Sequence, residues 1–191
     1  MKGLAAVILE GILTTLNADG WLNVSPMGPR VDEDLNEMLL RPFQTSTTYR
    51  NLKRTGQGVF HVTDDVELLA QAALGAPDPL PSSEPATAVE GRILTGACRW
   101  YALKVRSLDD REERTNIVCE VVDRGRLRDF FGFNRAKHAV VEAAILATRK
   151  HLIAPEVLHA EFERLRAPVE KTGGPAELRA FEFLRRKVGE Q

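Results

Sequence analysis

The sequence is poor in cysteine, in aromatic residues and in net charge. Its 191 residues include two cysteines, and aromatic residues make up 6% of the chain. Cys98 and Cys119 are too few for a disulfide framework or a cysteine metal cluster, so they are predicted to be buried free thiols. The formal net charge of −1 gives no whole-chain reason to expect nucleic acid or an anionic membrane as a partner.

Long apolar runs are also missing. The run near the start, Gly3 to Leu9, ends at Glu10, and no small-residue cleavage site follows it. No stretch approaches the roughly 20 apolar residues that a membrane-spanning helix needs. We therefore expect a cytoplasmic protein without a signal peptide or a membrane span. The four histidines show no metal-ligand spacing, so no metal site is predicted.

Apolar residues are nevertheless sufficient for a large core, since 43% of the chain is hydrophobic. A hairpin is predicted over residues 7–31, with a turn at 17–20. Further strands are predicted at 35–43, 58–65, 93–108 and 115–127, short helices at 47–56 and 66–75, and a proline-rich surface loop at 76–88. Helical periodicity then predicts helices at 136–152, 155–171 and 175–188.

This order of elements predicts a mainly β member of the α+β class. Residues 1–130 are expected to form an antiparallel barrel, because closing a sheet removes its exposed edges. Residues 131–191 are expected to form a helical region that packs on the barrel or at a dimer interface.

The second strand of the hairpin has an unusual mixture of residues. Alternation places Asn23, Ser25 and Met27 on one face. Pro26 cannot donate to a ladder, so the strand is expected to be an edge or to be bulged there, and Gly28 allows close approach to the backbone. Two interpretations stay open: a flat ring lies against this edge, or the edge is only protected against aggregation.

Four consecutive hydroxyl side chains precede the first short helix, namely Thr45, Ser46, Thr47 and Thr48. One of them is enough to cap the helix. With Arg50, Lys53 and Arg41 nearby, the run offers a phosphate free N–H groups, hydroxyl donors and positive charge. Asn51, on a neighbouring side of the helix, is expected to hold the loop or to reach a ligand. The sequence leaves open whether the run is an anion cradle or a cap beside a solvated basic face.

A second candidate site is the segment GFNRAKH at 132–138. Asn134 is a good N-cap, whereas the positive charges of Arg135 and Lys137 are unfavourable at a helix N-terminus. Together with His138 in the first turn, these cations suggest an anion: a phosphate, a partner subunit or an anionic substrate. The alternative is a capped helix with solvated charges.

Basic residues also alternate in RGRLR at 124–128. A solvated strand edge explains this pattern. A surface for single-stranded nucleic acid is the alternative, but it needs aromatic stacking platforms, and Trp21, Trp100 and Tyr101 are scattered. His61, in a predicted strand, is expected to belong to the core or to a ligand wall.

The order NVSPMG, then RPFQTSTTYRNLKRTGQGVFHVTDD, resembles the FMN-binding split-barrel flavoproteins, which include flavin reductases and pyridoxamine-phosphate-oxidase-like proteins. More narrowly, the chain is similar to a family of archaeal and bacterial FMN-binding proteins, in which GFNRAKHAVVEAAILATR also has a counterpart. The narrower resemblance covers most of the chain.

The resemblance implies a bound FMN. Its phosphate would lie among Thr45, Ser46, Thr47 and Thr48, with Asn51 and a nearby arginine such as Arg41. Its ring would lie along the strand residues Asn23, Ser25, Pro26, Met27 and Gly28. Asn134, Arg135 and His138 are further candidates for contact with the cofactor. Such barrels are usually homodimers with the flavin near the interface. A classical dinucleotide fingerprint is not expected in this fold.

The resemblance also implies a flavin-reductase type of oxidoreductase that accepts hydride from NAD(P)H or serves a small-molecule acceptor. The alternative is a non-catalytic protein that binds FMN or a related deazaflavin or pterin. No nucleic acid and no membrane are expected as partners.

Overall fold

The computed structural model describes residues 7–75 and 77–190, and the chain divides into two compact units. Unit 1 contains the described residues up to Thr63 together with Pro81–Asp129. Unit 2 contains Asp64–Leu80 and the chain from Phe130 onwards. The first residues of the apolar run that starts at Gly3 lie outside the described residues.

The described residues of unit 1 form ten strands and one helix. The strands are β1 (Val7–Ile8), β2 (Gly11–Leu16), β3 (Leu22–Met27), β4 (Arg30–Val31), β5 (Glu37–Leu40), β6 (Gln57–Val62), β7 (Ser83–Pro85), β8 (Arg92–Leu94), β9 (Arg99–Asp109) and β10 (Asn116–Arg126), and helix α1 (Thr47–Thr55) lies between β5 and β6. Eight strands form an antiparallel sheet in the order β1-β4-β5-β10-β9-β6-β2-β3, and β7 pairs with β8.

The long hairpin closes this sheet into a split barrel. β1 and β2 form one arm and β3 and β4 the other, and the arms pair with each other along both halves. β2 also pairs with β6, while β4 pairs with β5 at the opposite end of the sheet. Because each arm is interrupted, between β1 and β2 and between β3 and β4, one half of the hairpin pairs with β6 and the other half pairs with β5. The predicted antiparallel split barrel with a C-terminal helical region is confirmed.

The predicted hairpin turn is confirmed as well. Gly20 N donates to Asn17 O at 3.0 Å, and Gly20 has a φ of 82°, which glycine adopts without a Cβ clash. The register then runs from Leu16 opposite Leu22 to Gly11 opposite Met27. β3 is the last strand of the sheet, so Pro26 lies on an edge as predicted and no ladder hydrogen bond is lost on its outer side.

The barrel interior is filled with large apolar side chains. Its members are Leu13, Val31, Met38, Leu40, Tyr49, Leu52, Phe60, Tyr101, Leu103, Ile117 and Cys119. Cys98 and Cys119 are both buried and free, as predicted. Burial raises the pKa of the Cys119 thiol to about 12, so this thiol stays protonated and behaves as a small apolar residue.

Two sequence predictions in this unit are corrected. The single strand expected at 93–108 is two strands, β8 and β9, because the chain turns after Leu94, where Ala97 N donates to Leu94 O. The loop expected at 76–88 contains β7, which pairs with β8 from Ser83 opposite Leu94. A three-residue strand carries no measurable periodicity, which is why the sequence did not reveal either one.

Unit 2 is helical. It contains α2 (Val66–Leu74), α3 (Arg135–Thr148), α4 (Pro155–Thr172) and α5 (Pro175–Gly189), with a 3-10 turn at Lys150–Leu152. All four helices are predicted by the sequence, but the helix expected at 136–152 ends at Thr148 and the 3-10 turn follows it. The domain boundary expected near residue 130 assigns α2 to the barrel domain, whereas in the structure α2 belongs to unit 2, where it packs against α3 and α5.

Small residues allow the helices of unit 2 to pack closely. The buried face of α3 is almost entirely alanine, and α4 and α5 contribute larger side chains to the same core; the buried residues include Ala136, Ala139, Val140, Ala143, Ala144, Ala147, Leu158, Phe162, Leu165, Phe181 and Leu184. No helix in the described residues is both long enough and apolar enough to cross a membrane.

Candidate functional site

A buried polar network joins α1 to the β2–β3 hairpin. Asn51 Nδ2 donates to Thr15 Oγ1 at 3.0 Å and to Asn17 Oδ1 at 2.9 Å. Asn23 Nδ2 donates to the same Thr15 oxygen at 3.0 Å and to Thr48 Oγ1 at 3.1 Å. Because Thr15, Thr48 and Asn51 are buried, these hydrogen bonds fix the start of α1 against the edge strand β3.

The four hydroxyls at the start of α1 have different roles. Ser46 is the N-cap: its Oγ accepts from Tyr49 N at 3.1 Å and donates to Phe43 O at 2.7 Å. Both bonds belong to the cap, so the Ser46 proton is already used within the protein. Thr47 Oγ1 accepts from Arg50 Nη2 at 2.9 Å. Thr45 is exposed, and its carbonyl oxygen accepts from Arg50 Nη1.

Thr47 and Thr48 therefore remain as hydroxyl donors. Each accepts one hydrogen bond, and neither proton is committed to an acceptor in the described part of the chain. They lie in the first turn of α1, where backbone N–H groups have no partner inside the helix. Two hydroxyl protons beside free N–H groups at the positive end of a helix suit an anion.

Arg41 supplies an unsatisfied donor close by in sequence. It follows β5 directly, and its Nε is buried without a hydrogen-bond partner in the described residues. Its backbone is held, since Arg114 Nε donates to Arg41 O at 3.1 Å. A buried donor of a charged group costs free energy when it is left unpaired. An anionic ligand would remove that cost.

The edge strand β3 carries the other predicted contacts. Asn23, Ser25 and Met27 alternate with Val24 and Pro26 along it, and all but Val24 are partly exposed. A Cβ added to Gly28 would lie 2.9 Å from Glu10 Oε1, so the close approach expected at Gly28 is made here by the Glu10 side chain.

The far end of α1 has a charged cluster that the sequence did not reveal. Lys53 Nζ lies 2.8 Å from Asp110 Oδ2, and Tyr49 OH donates to the same oxygen at 2.7 Å. The hydrogen bonds from Lys53 and Tyr49 lower the pKa of Asp110 and keep it ionised. Lys53, expected near the anion, is instead paired with the turn between β9 and β10.

The second predicted group lies in unit 2. Asn134 caps α3 as predicted, since its Oδ1 accepts from Lys137 N at 3.1 Å, and its Nδ2 donates to Thr172 O at 3.0 Å. Lys137 Nζ lies 2.8 Å from Glu177 Oε1. Arg135 and His138 are exposed, and the His138 ring stacks on Phe133 with centroids 6.0 Å apart.

The positive charge of Lys137 at a helix N-terminus is thus explained within the unit. Burial alone would raise the pKa of Glu177, but hydrogen bonds from Lys137 Nζ and Gly174 N outweigh burial and lower it. Glu177 is therefore ionised and offsets the charge of Lys137. Lys137 Nζ also donates to Asp64 O at 2.7 Å, which ties α3 to the segment before α2.

His61 is a core residue. It is fully buried in β6, its Nδ1 lies 3.2 Å from Ile12 O, and its Nε2 accepts from Leu94 N at 3.0 Å. These contacts require the neutral tautomer with the proton on Nδ1. Burial lowers the pKa of His61 to about 4. Its two ring nitrogens hold strands together and do not face a ligand.

The basic segment at 124–128 makes contacts within the protein. Arg124 donates to Asp34 O at 2.9 Å and to Asn36 Oδ1 at 2.6 Å. Arg126 pairs with Asp129, and Arg128 Nε donates to Gly96 O at 3.0 Å. These contacts give each arginine a structural role at the end of β10.

The fold is a split barrel, and solved structures of flavin-reductase-like proteins share it. A flavoredoxin from Methanosarcina acetivorans is similar at a TM-score of 0.54 and 12% identity, with 66% of this chain and 74% of that chain covered. The Pseudomonas fluorescens 2-nitrobenzoate 2-nitroreductase NbaA is similar at a TM-score of 0.52 and 16% identity, with 65% and 66% covered. The predicted resemblance to split-barrel flavoproteins is confirmed at the level of the fold.

The chain belongs to the DUF447 family of proteins of unknown function: residues 9–128 match its N-terminal domain and residues 134–186 match the second DUF447 region. The FMN-bound DUF447 protein MM1853 from Methanosarcina mazei is similar over 97% of both chains, at a TM-score of 0.80 and 22% identity. No curated protein matches the chain.

Proposed function

We propose that this chain is an FMN-binding flavoprotein and an oxidoreductase of the flavin-reductase type. The observation that carries the proposal is the buried, unpartnered Nε of Arg41, which precedes a helix start with two free hydroxyl protons, Thr47 and Thr48. The FMN-bound protein of Methanosarcina mazei and the nitroreductase of Pseudomonas fluorescens, both similar in fold, support it.

The residues present fit the parts of FMN. Arg41, Thr47, Thr48 and the first-turn N–H groups of α1 would hold the phosphate, because they offer a cation and hydrogen-bond donors to a dianion. The exposed edge of β3, from Asn23 to Gly28, would offer backbone groups to the flavin ring. The flavin supplies the hydride chemistry when bound, while the protein supplies position, ring hydrogen bonds and access.

The first test is a titration with FMN, followed by absorbance between 300 and 550 nm. The double variant Thr47→Val, Thr48→Val should weaken the binding of FMN far more than the binding of riboflavin, because only FMN loses hydrogen bonds to its phosphate. Each such charge-assisted hydrogen bond contributes about 1.5–3 kcal/mol. Riboflavin is the internal control for the shape of the helix. Equal losses for both ligands would show that the hydroxyls only support the fold.

Arg41 has a matched control within the same unit. Arg41→Gln should also weaken the binding of FMN more than the binding of riboflavin, since it removes the cation whose buried Nε has no partner. Arg106→Gln should leave both affinities unchanged, because the Arg106 guanidinium already pairs with Glu120 at 2.8 Å. If the two variants behave alike, the phosphate is not bound by Arg41.

The reaction is tested by mixing the FMN-loaded protein with NADH or NADPH without oxygen. Bleaching of the flavin band is the expected result for a reductase that takes hydride from a nicotinamide. A stable complex that is inert to every reductant and acceptor would instead indicate a non-catalytic protein for FMN, a deazaflavin or a pterin.

We also propose that the protein is a homodimer with the flavin near the interface. Phe130, Phe131 and Phe133 are exposed within four residues of unit 2, and Phe133 is 95% exposed. A cluster of exposed aromatic side chains is typical of a protein–protein interface. Light scattering after size-exclusion chromatography should give the dimer mass for the wild type and a lower mass for Phe131→Ser with Phe133→Ser.

A further inference from the structure

Trp21, at the tip of the hairpin, is an exposed aromatic residue in a fixed position. Its side chain is 67% exposed. Its backbone is held on both sides, since Trp21 N donates to Asp19 Oδ1 at 3.0 Å and Trp21 O accepts from Asn17 N at 2.9 Å. An indole has only two rotatable side-chain bonds, so stacking a flat ring on it costs little conformational entropy.

The position of Trp21 places its indole on the face of the hairpin that meets α1. The hydrogen bond from Asn17 N extends the β2–β3 pairing by one residue, so side-chain alternation puts Trp21 on the same face as Asn23. Both neighbours on that face contact α1: Asn17 accepts from Asn51, and Asn23 donates to Thr48. The indole and the candidate phosphate site therefore share one side of the edge strand.

A cation lies at the same end of the hairpin. Arg54, in the last turn of α1, is exposed, and its Nη2 donates to the carbonyl oxygen of Leu16, one residue before Asn17. That bond uses one of the five N–H donors of the guanidinium and fixes its position at the hairpin tip. The remaining donors suit a phosphate, which guanidinium groups bind in a bidentate manner.

We propose that Trp21 and Arg54 form a subsite for the adenosine-phosphate part of a dinucleotide, with the adenine stacked on the indole and a phosphate at the guanidinium. The inference rests on the proposed function, since it places the second half of a dinucleotide next to the FMN site. FAD and a nicotinamide dinucleotide both carry this chemical group, and the experiment separates them.

The probe is AMP, titrated calorimetrically into the protein of residues 1–191. Trp21→Leu should lower the affinity for AMP by about tenfold or more, because the adenine loses its aromatic stacking partner. Trp21→Phe keeps an aromatic ring and should lower the affinity less. Arg54→Gln should weaken AMP but not adenosine, which has no phosphate. Leu152→Ala removes an exposed apolar side chain of unit 2 that has no part in either proposed site, and it should leave AMP affinity unchanged.

Fluorescence gives an independent signal. The chain has two tryptophans, so in a Trp100→Phe variant Trp21 is the sole indole, and AMP should quench it with saturation. If Trp21→Leu lowers the preference for FAD over FMN, the adenosine of the flavin occupies the subsite. If it raises the KM for NADH or NADPH in the FMN-loaded protein instead, the nicotinamide donor occupies it. Either result supports the proposal.

Unchanged AMP affinity in Trp21→Leu would overturn the subsite. So would a variant that changes only the oligomeric state, because Trp21 would then belong to an interface between copies. FMN titration of the wild type separates this failure from that of the proposed function: a wild type that binds no FMN refutes the proposed function, whereas FMN binding with unchanged AMP affinity refutes only the subsite.

Discussion

Asn51 shows how the fold decides between two roles that the sequence leaves open. The sequence suggested that it would hold the loop or reach a ligand. In the structure, both amide protons of Asn51 are committed to Thr15 and Asn17, so its side chain joins α1 to the hairpin. The site therefore depends on Asn51 through the position of α1, while the hydroxyl donors that remain uncommitted are those of Thr47 and the buried Thr48.

His61 makes the stability of unit 1 depend on pH. Its pKa is about 4 in the folded protein against the usual 6.5, so the unfolded chain binds a proton first as the pH falls. Folding free energy contributed by neutral His61 is thus intact above pH 6.5 and is lost progressively down to about pH 4. The loss should reach about 3 kcal/mol, since one pKa unit corresponds to about 1.4 kcal/mol.

This prediction is checked by urea unfolding at several pH values, followed by tryptophan fluorescence. Both tryptophans, Trp21 and Trp100, belong to unit 1, so the signal reports that unit. His61→Gln keeps a donor and an acceptor but does not titrate, and it should flatten the profile between pH 6.5 and 4. His151→Gln, at an exposed position, should keep the wild-type slope. A wild-type slope in His61→Gln would refute the assignment.

At the scale of the element, α1 is defined at both ends by local chemistry. Ser46 caps its start, and Gly56 ends it with a φ of 66° and an N–H that donates to Leu52 O at 2.8 Å. Both signals are visible in the sequence, and the predicted helix at 47–56 agrees with Thr47–Thr55. Because the caps determine the residue at which α1 begins, they also determine which backbone N–H groups of its first turn stay unpaired and where those groups lie.

Gly56→Ala should therefore destabilise unit 1. A Cβ at Gly56 would meet nothing within 4 Å, so the cost is that of a left-handed backbone alone, about 1–2 kcal/mol. Gly56→Asn should cost less, because asparagine tolerates this conformation. The measurement is the free energy of unfolding from urea titrations.

Gly96→Ala is the matched control for that measurement. Gly96 also has open space around a Cβ but does not have a positive φ, so its substitution should change stability little. Equal losses at Gly56 and Gly96 would show that the left-handed C-cap does not limit the stability of α1.

At the scale of the whole molecule, the two units do not follow the order of the chain. The family match divides the sequence between residues 128 and 134. The structure assigns Asp64–Leu80, and with it α2, to the unit formed by the C-terminal helices. The buried residues of α2, Val66, Leu69 and Ala70 among them, pack within that unit.

A fragment that ends at Asp129 should therefore be poorly soluble. The fragment keeps α2 but loses α3 and α5, so the apolar face of α2 is exposed to water. Each large apolar side chain that is exposed in this way costs about 1.5–3 kcal/mol of free energy. Size-exclusion chromatography and binding of a hydrophobic dye measure the effect. The same fragment with Leu69→Gln should aggregate less. A soluble, monomeric wild-type fragment without dye binding would contradict the division.

The sequence by itself determined the elements whose signals are local: the Asn17–Gly20 turn, the caps at Ser46 and Asn134, the end of α1 at Gly56 and the amphipathic helices of unit 2. Each depends on the conformational preference of a few adjacent residues. Only the tertiary structure decided that Asn23 meets Thr48, that Arg41 keeps a buried donor unpaired and that α2 joins the C-terminal helices. These facts depend on contacts between residues far apart in the chain, which no local preference encodes.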